Sequence, residues 1–231
     1  MSQSRRSPSH SPSFAFTAWL KSALLTRVGA DHMGRFVREQ LVREDVATEG
    51  VLTDPARLTA LAILGIRDQE TFPLLFYREN CADMALCEGD IDPDFVARAR
   101  AILVSGTHLS QPGVAAACFT AARLARAQGA RVILDIDYRP VLWGLAAVDM
   151  GENRYVADSR VSAALQRILP LVDLIVGTEE EVRILGGQGD LGAALRTIRE
   201  LSAAPIVCKR GAAGCVVFEG MIPDVLDDGL V

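Results

Sequence analysis

Residues 135–139 read DIDYR, so two carboxylates and a guanidinium fall within five positions, straight after the apolar run Val132–Leu134. Ionised carboxylates accept hydrogen bonds from hydroxyls, and the rigid fork of an arginine holds a carboxylate or hydroxyls. Two further polar clusters follow apolar runs, SGTH at 105–108 and GTEEE at 177–181. One polar strand end is unremarkable, but three in an otherwise apolar layout read as the floor of a cleft. Asp135, Asp137 and Arg139 are therefore candidate substrate-binding residues. YREN at 77–80 adds Arg78 as a fourth. In KRGAAG at 209–214, Gly211 and Gly214 allow a tight turn whose N–H groups can face an anion, with Lys209 as a point charge beside it. That segment is neither a P-loop nor a dinucleotide fingerprint.

Each candidate also has a plainer reading. Asp135 suits hydrogen bonds to the adjacent loop, and Asp137 with Arg139 suits a local salt bridge. Arg78 and Lys209 suit solvated surface positions, and the two glycines suit a simple β-turn. His108 reads either as a base or as a hydrogen-bonded loop residue, and Trp143 as core packing. In the site reading, Arg78 and Arg139 make a positively charged pocket in a net acidic protein, which fits a small anionic molecule.

The elements that must carry these residues follow from pattern. SALLTRV (22–28) is strand-like, and Asp31 caps a helix over His32–Glu44. Runs at 59–66 and 73–78, separated by the charged RDQET, predict an antiparallel ribbon outside the main sheet. Asp92-Pro93 opens a helix through about Arg100. Strands are predicted at 101–105, 131–135, 172–176, 205–209 and 215–219, and helices at 112–128, 159–169, from Glu179, and at 191–201. Thr178 and Glu181 have capping-box spacing. Such alternation predicts a largely parallel sheet covered on both faces, with ligands beyond the carboxyl ends of its strands.

Composition narrows the class. With 231 residues, half of them hydrophobic, the chain can bury a sizeable core. Its net charge is -5, and no block of Lys/Arg is long enough to track a phosphate backbone, which argues against nucleic acid. Five cysteines without a C-x-x-C pair read as free thiols in a reducing, cytoplasmic compartment. No run approaches the ~18 apolar residues of a membrane span. Residues 1–19 include a Ser/Pro/Arg-rich stretch and read as a tail that is disordered or foreign to the domain. Residues 20–231 form the domain, with the ribbon within about 51–80.

In combination, LKSALLTRVGADHMG (20–34), LTALAILGIRD, TFPLLFYRENCADMAL, LDIDYRPVLWG, LIVGTEEE and IVCKRGAAGCVVF resemble the ribokinase family of carbohydrate kinases. The resemblance is stronger to its branch acting on 5-dehydro-2-deoxygluconate in inositol catabolism. It implies a three-layer α/β/α, Rossmann-like core with a small β lid, and ATP and Mg²⁺ as cofactors. It also implies transfer of the γ-phosphoryl to the 6-hydroxyl of an anionic keto sugar acid, and a homo-oligomer paired through the lid. Arg78 then matches a substrate-side lid arginine. Asp135, Asp137 and Arg139 match a D-x-N-x-R element, with Asp137 in place of Asn. Glu180 matches the acid that acts on Mg²⁺ through water, with Gly177 in place of Asn three residues earlier. Gly211 and Gly214 match the turn before the nucleotide.

Two departures accompany the resemblance. The family's first strand, with a sugar-binding Asp and a G-G-x-x-x-N segment, has no counterpart, and the catalytic G-A-G-D motif occurs nowhere in the 231 residues. No residue is therefore assigned as the base. The expectation is a partial domain, incomplete at both ends, with weak or absent turnover and impaired solubility. The alternatives are a 2-keto-3-deoxygluconate or other sugar kinase, and a non-catalytic fragment with an interaction or regulatory role.

Overall fold

The computed structural model describes residues 20–66, 74–146, 155–223 and 226. The expected tail at 1–19, the turn of the ribbon at 67–73 and most of the chain after Pro223 lie outside the described residues.

In chain order the elements are β1 (Ser22–Ala23), β2 (Thr26–Gly29), α1 (His32–Arg43), β3 (Val46–Ala47), β4 (Val51–Asp54), β5 (Leu61–Leu64) and β6 (Leu74–Tyr77). They continue as α2 (Pro93–Ala97), β7 (Ala101–Ser105), α3 (Pro112–Ala127), β8 (Arg131–Asp135), α4 (Ser159–Gln166), β9 (Leu174–Thr178), α5 (Glu179–Gly186), α6 (Leu191–Leu201), β10 (Ile206–Lys209) and β11 (Cys215–Phe218). Local chemistry sets several boundaries. Asp31 Oδ1 accepts from the Gly34 amide at 2.8 Å and so starts α1. Thr178 and Glu181 close a reciprocal capping box at the start of α5, with Thr178 N donating to Glu181 Oε2 at 2.8 Å and Glu181 N to Thr178 Oγ1 at 3.3 Å.

Several boundaries differ from the pattern reading: the run at 22–28 divides into β1 and β2, and the helix expected over 159–169 ends at Gln166. α2 stops at Ala97 rather than near Arg100, because Ala99 N turns back to the Val96 carbonyl at 3.0 Å and the chain enters β7 at once. β9 begins at Leu174 rather than 172. Leu169–Leu171 form a 3₁₀ turn around Pro170, and Asp173 is captured beside β8, its Oδ2 accepting from Val132 N at 2.8 Å.

The main sheet has the order β11-β10-β9-β8-β7, parallel except for β11. Three two-stranded sheets flank it: parallel β1–β3, parallel β2–β4, and the antiparallel β5–β6 ribbon predicted from sequence.

Register separates the two faces of the main sheet. On one face, Val104, Val132, Leu134, Ile175, Ile206, Cys208, Val216 and Phe218 are all buried, and they share one core with the buried sides of α3, α4, α5 and α6. On the other face lie Leu103, Ile133, Leu174, Val176, Val207 and Val217, none of which belongs to that core. Leu103 is 63% exposed and Val217 52%. Coverage on both faces is therefore corrected: among the described residues, helices build a core on one face only. Both faces are apolar, which is why the strands read as buried on both sides.

The five cysteines are free thiols, and burial pushes those of Cys118 and Cys208 up to about 11. Among the described residues no helix is long and apolar enough to cross a membrane.

Candidate active site

The polar clusters converge because three strands end side by side. Ser105 of β7 lies opposite Asp135 of β8, and Asp135 lies opposite Val176 of β9. Two glycines permit the close approach. A Cβ on Gly106 would collide with the Ile136 carbonyl oxygen, and one on Gly177 would lie 2.5 Å from Ile136 Cδ1. Past this wedge, Asp137 adopts a left-handed φ of 35°. Asp and Asn tolerate that region best among residues with a side chain, which gives a backbone reason for either at this position.

Around Asp137 the side chains form a connected set. Ser105 Oγ donates to Asp137 Oδ2 at 2.9 Å and lies 2.7 Å from Thr107 Oγ1. Arg139 Nη2 is 2.8 Å from Asp137 Oδ1, so the local ion pair weighed in the sequence is present. Arg139 Nη1 donates to the Tyr138 carbonyl at 3.2 Å and sits 3.9 Å from Glu181 Oε1. Glu181 is buried and also accepts from Tyr138 N at 3.3 Å, so it ties the start of α5 to the loop after β8.

Asp135 faces Lys209, whose Nζ is 3.7 Å from Oδ1, an ion pair too long for a hydrogen bond. That oxygen is buried and has no hydrogen-bond partner among the described residues. Burial pushes the Asp135 carboxyl above its ordinary range; Lys209 opposes the shift and Asp137 adds to it.

The ribbon supplies Arg78. Its root is fixed where Asp31 Oδ2 accepts from Thr59 N at 2.8 Å and Thr59 Oγ1 accepts from Gly29 N at 2.9 Å. Arg78 Nε donates to Asp83 Oδ2 at 2.6 Å, and Nη2 lies 3.3 Å from His108 Nε2. Its side chain is 16% exposed, which overturns the solvated reading. Asp137 acts electrostatically on His108, so Arg78, His108, Asp137 and Arg139 are one group of side chains. The positively charged pocket is corrected in turn. Arg78, Arg139 and Lys209 stand among Asp83, Asp135, Asp137 and Glu181, so no net positive charge results.

At the positions the resemblance assigns to the nucleotide side, Gly211 and Gly214 have φ of 57° and 85° and shape the turn between β10 and β11. Ala213 N donates to the Arg210 carbonyl and Gly214 N to the Gly211 carbonyl, each at 3.1 Å, so these two amides serve the turn itself. Glu180 is exposed on the first turn of α5, while Glu179 binds Arg210 Nε at 2.7 Å. A cavity of about 490 Å³ lies elsewhere, between α3 and the chain before β9, lined by Phe119, Arg123, Arg167 and Leu171 among others. Arg167 stacks over Phe119 there at 5.1 Å.

A family model described as pfkB family carbohydrate kinase matches residues 17–224. The chain belongs to the pfkB family of carbohydrate kinases. Among curated relatives, it is 32% identical over 204 residues to the 5-dehydro-2-deoxygluconokinase of Geobacillus kaustophilus, covering 86% of this chain and 57% of the relative. It is 30% identical over 203 residues to the enzyme of the same name from Halalkalibacterium halodurans, covering 86% and 58%. The chain thus spans less than two thirds of the length of the curated relatives it matches.

Solved structures agree on the ribokinase-like α/β fold. A PfkB protein from Polaromonas sp. JS666 superposes with a TM-score of 0.73 at 24% identity, covering 87% of this chain and 64% of that one. A putative ribokinase II from E. coli, in complex with ATP and Mg²⁺, superposes at 0.72 with 20% identity, covering 87% and 60%. Within this pfkB chain, no group of three or more His, Cys, Asp or Glu side chains among the described residues could hold a metal ion. Mg²⁺ is usually held by one or two carboxylates together with phosphate oxygens and water, so it does not need such a group.

Sequence reasoning missed three members of the group. Glu181 was visible only as a capping residue. Ser105 was visible only as part of a polar strand end. Asp83 carried no signal, because its role depends on the ribbon folding back onto the chain that follows it.

Proposed function

We propose that this chain carries the sugar-acid side of an ATP-dependent kinase that phosphorylates the 6-hydroxyl of 5-dehydro-2-deoxygluconate. The carrying observation is Arg78, delivered by the ribbon to the carboxyl end of β7 and held there by Asp83 and His108. Two of its five N–H donors serve those partners, and a keto acid would engage the guanidinium through others. Arg139 and Asp137 would orient hydroxyls of the open-chain sugar, with Asp135 at the adjoining strand end. The curated relatives named for this substrate support the choice.

ATP with Mg²⁺ would supply the phosphoryl group and neutralise charge as it transfers. Lys209 and the Gly211–Gly214 turn would lie beside the nucleotide, and Glu180 would reach the metal through water. No residue of this chain is assigned the proton-accepting role. The charge balance around Arg78 and Arg139 favours a second reading, a kinase for a neutral sugar.

Calorimetric titration of the 231-residue chain with 5-dehydro-2-deoxygluconate, 2-keto-3-deoxygluconate and fructose separates these readings. The first ligand should bind best, and Arg78→Ala and Arg139→Ala should each weaken it by roughly tenfold to a hundredfold. Preference for fructose, or affinity indifferent to both substitutions, would overturn the proposal.

A further inference from the structure

His108 has so far been only a partner of Arg78, and it is the residue after β7 that meets the ribbon arginine. A guanidinium only donates, so with Nη2 of Arg78 3.3 Å away, His108 Nε2 must be the acceptor and the ring must be neutral with its proton on Nδ1. Arg78 is then clamped from two sides, by Asp83 from the chain after the ribbon and by His108 from the chain after β7. A protonated ring would have no lone pair for Arg78 and would face it as a like charge.

We propose that His108 is a positioning residue: its neutral imidazole fixes Arg78 at the carboxyl end of β7, and its protonation releases Arg78 and the end of the ribbon. This rests on the sugar-acid reading only for its consequence in binding; the clamp itself does not. The charged groups that face the ring are Arg78, Asp83 and Asp137. Burial, then Arg78, depress its proton affinity below the ordinary value of 6.5, while Asp83 and Asp137 oppose them. Asp83 Oδ1 is buried without a partner among the described residues, so an acceptor lies within the same cluster for a rearranged donor.

The full chain contains three histidines, which makes histidine NMR tractable. Wild type, His108→Gln and Arg78→Met are titrated while the imidazole signals, the Arg78 Nε–H and the β6 amides are followed. Glutamine keeps a neutral acceptor at every pH, so it should preserve the neutral-pH signals and abolish their titration. In wild type, the Arg78 and β6 signals should move with the His108 midpoint, and Arg78→Met should raise that midpoint. Arg78 signals that titrate unchanged in His108→Gln, or a His108 midpoint indifferent to Arg78→Met, would overturn the proposal.

Sugar-acid titrations on the same proteins form the second arm. Wild-type affinity should fall by about tenfold per pH unit below the His108 midpoint and stay level in His108→Gln. An intact NMR linkage without sugar-acid binding at any pH would establish the clamp and refute the ligand reading alone.

Discussion

Gly177 and Ile136 share a single space: a Cβ on the glycine would sit 2.5 Å from Ile136 Cδ1. The resemblance noted in the sequence implies asparagine at the position of Gly177. Here the isoleucine after β8 has taken the volume that a side chain on β9 would need. The glycine at 177 is thus tied to Ile136 by packing.

Gly177→Asn should therefore destabilise the fold by about 1–3 kcal/mol, the usual cost of overpacking a closed core. Ile136→Ala costs stability by itself, about 2–5 kcal/mol, but combined with Gly177→Asn the total loss should be less than the sum of the two. Urea denaturation of both single variants and the double variant measures the coupling. Additive losses would show that the two residues do not compete for space.

Asp135 predicts an unusual pH response. Its folded carboxyl lies above the ordinary 3.8, so the folded state holds a proton over a range where the unfolded chain has lost it. Its contribution to stability is complete below that ordinary value and is lost as pH rises through the folded one. Asp135→Asn should accordingly be more stable than wild type near neutral pH and lose that advantage in acid. Lys209→Met should steepen the wild-type trend, because Lys209 opposes the shift. Denaturation midpoints across this range decide it, and a flat profile in Lys209→Met would contradict the assignment.

The face of the main sheet that no described helix covers predicts dye binding by the folded protein. Leu103 and Val217 leave apolar surface at its two edge strands. Native protein should enhance anilinonaphthalene sulfonate fluorescence and sediment as a mixture of species. Leu103→Lys with Val217→Lys should reduce both effects, as lysine on an edge strand discourages edge pairing, and should shift stability by only about 0.5 kcal/mol. Wild type that is monodisperse and dark to the dye would refute this.

The strands at 101–105 and 131–135 were legible to the residue because each is a short apolar run between turn signals. The capping box at Thr178 was legible for the same local reason. β9 was read two residues early because an apolar run does not reveal that Asp173 will be drawn onto the Val132 amide. DIDYR was legible as a site, but its charge balance was not. Asp83 reaches Arg78 only through a local fold-back, and Glu181 reaches Arg139 only through packing of α5 against the loop after β8. Pattern shows which residues can pair, and tertiary packing decides which do.

The spatial order of the main sheet, β7 to β11, is also its order along the chain, with no strand among the described residues inserted between consecutive neighbours. Each strand therefore finds its partner already made when it leaves the ribosome. Synthesis can lay down the sheet one strand at a time, and the loop-closure entropy of each addition is limited to a single connecting segment.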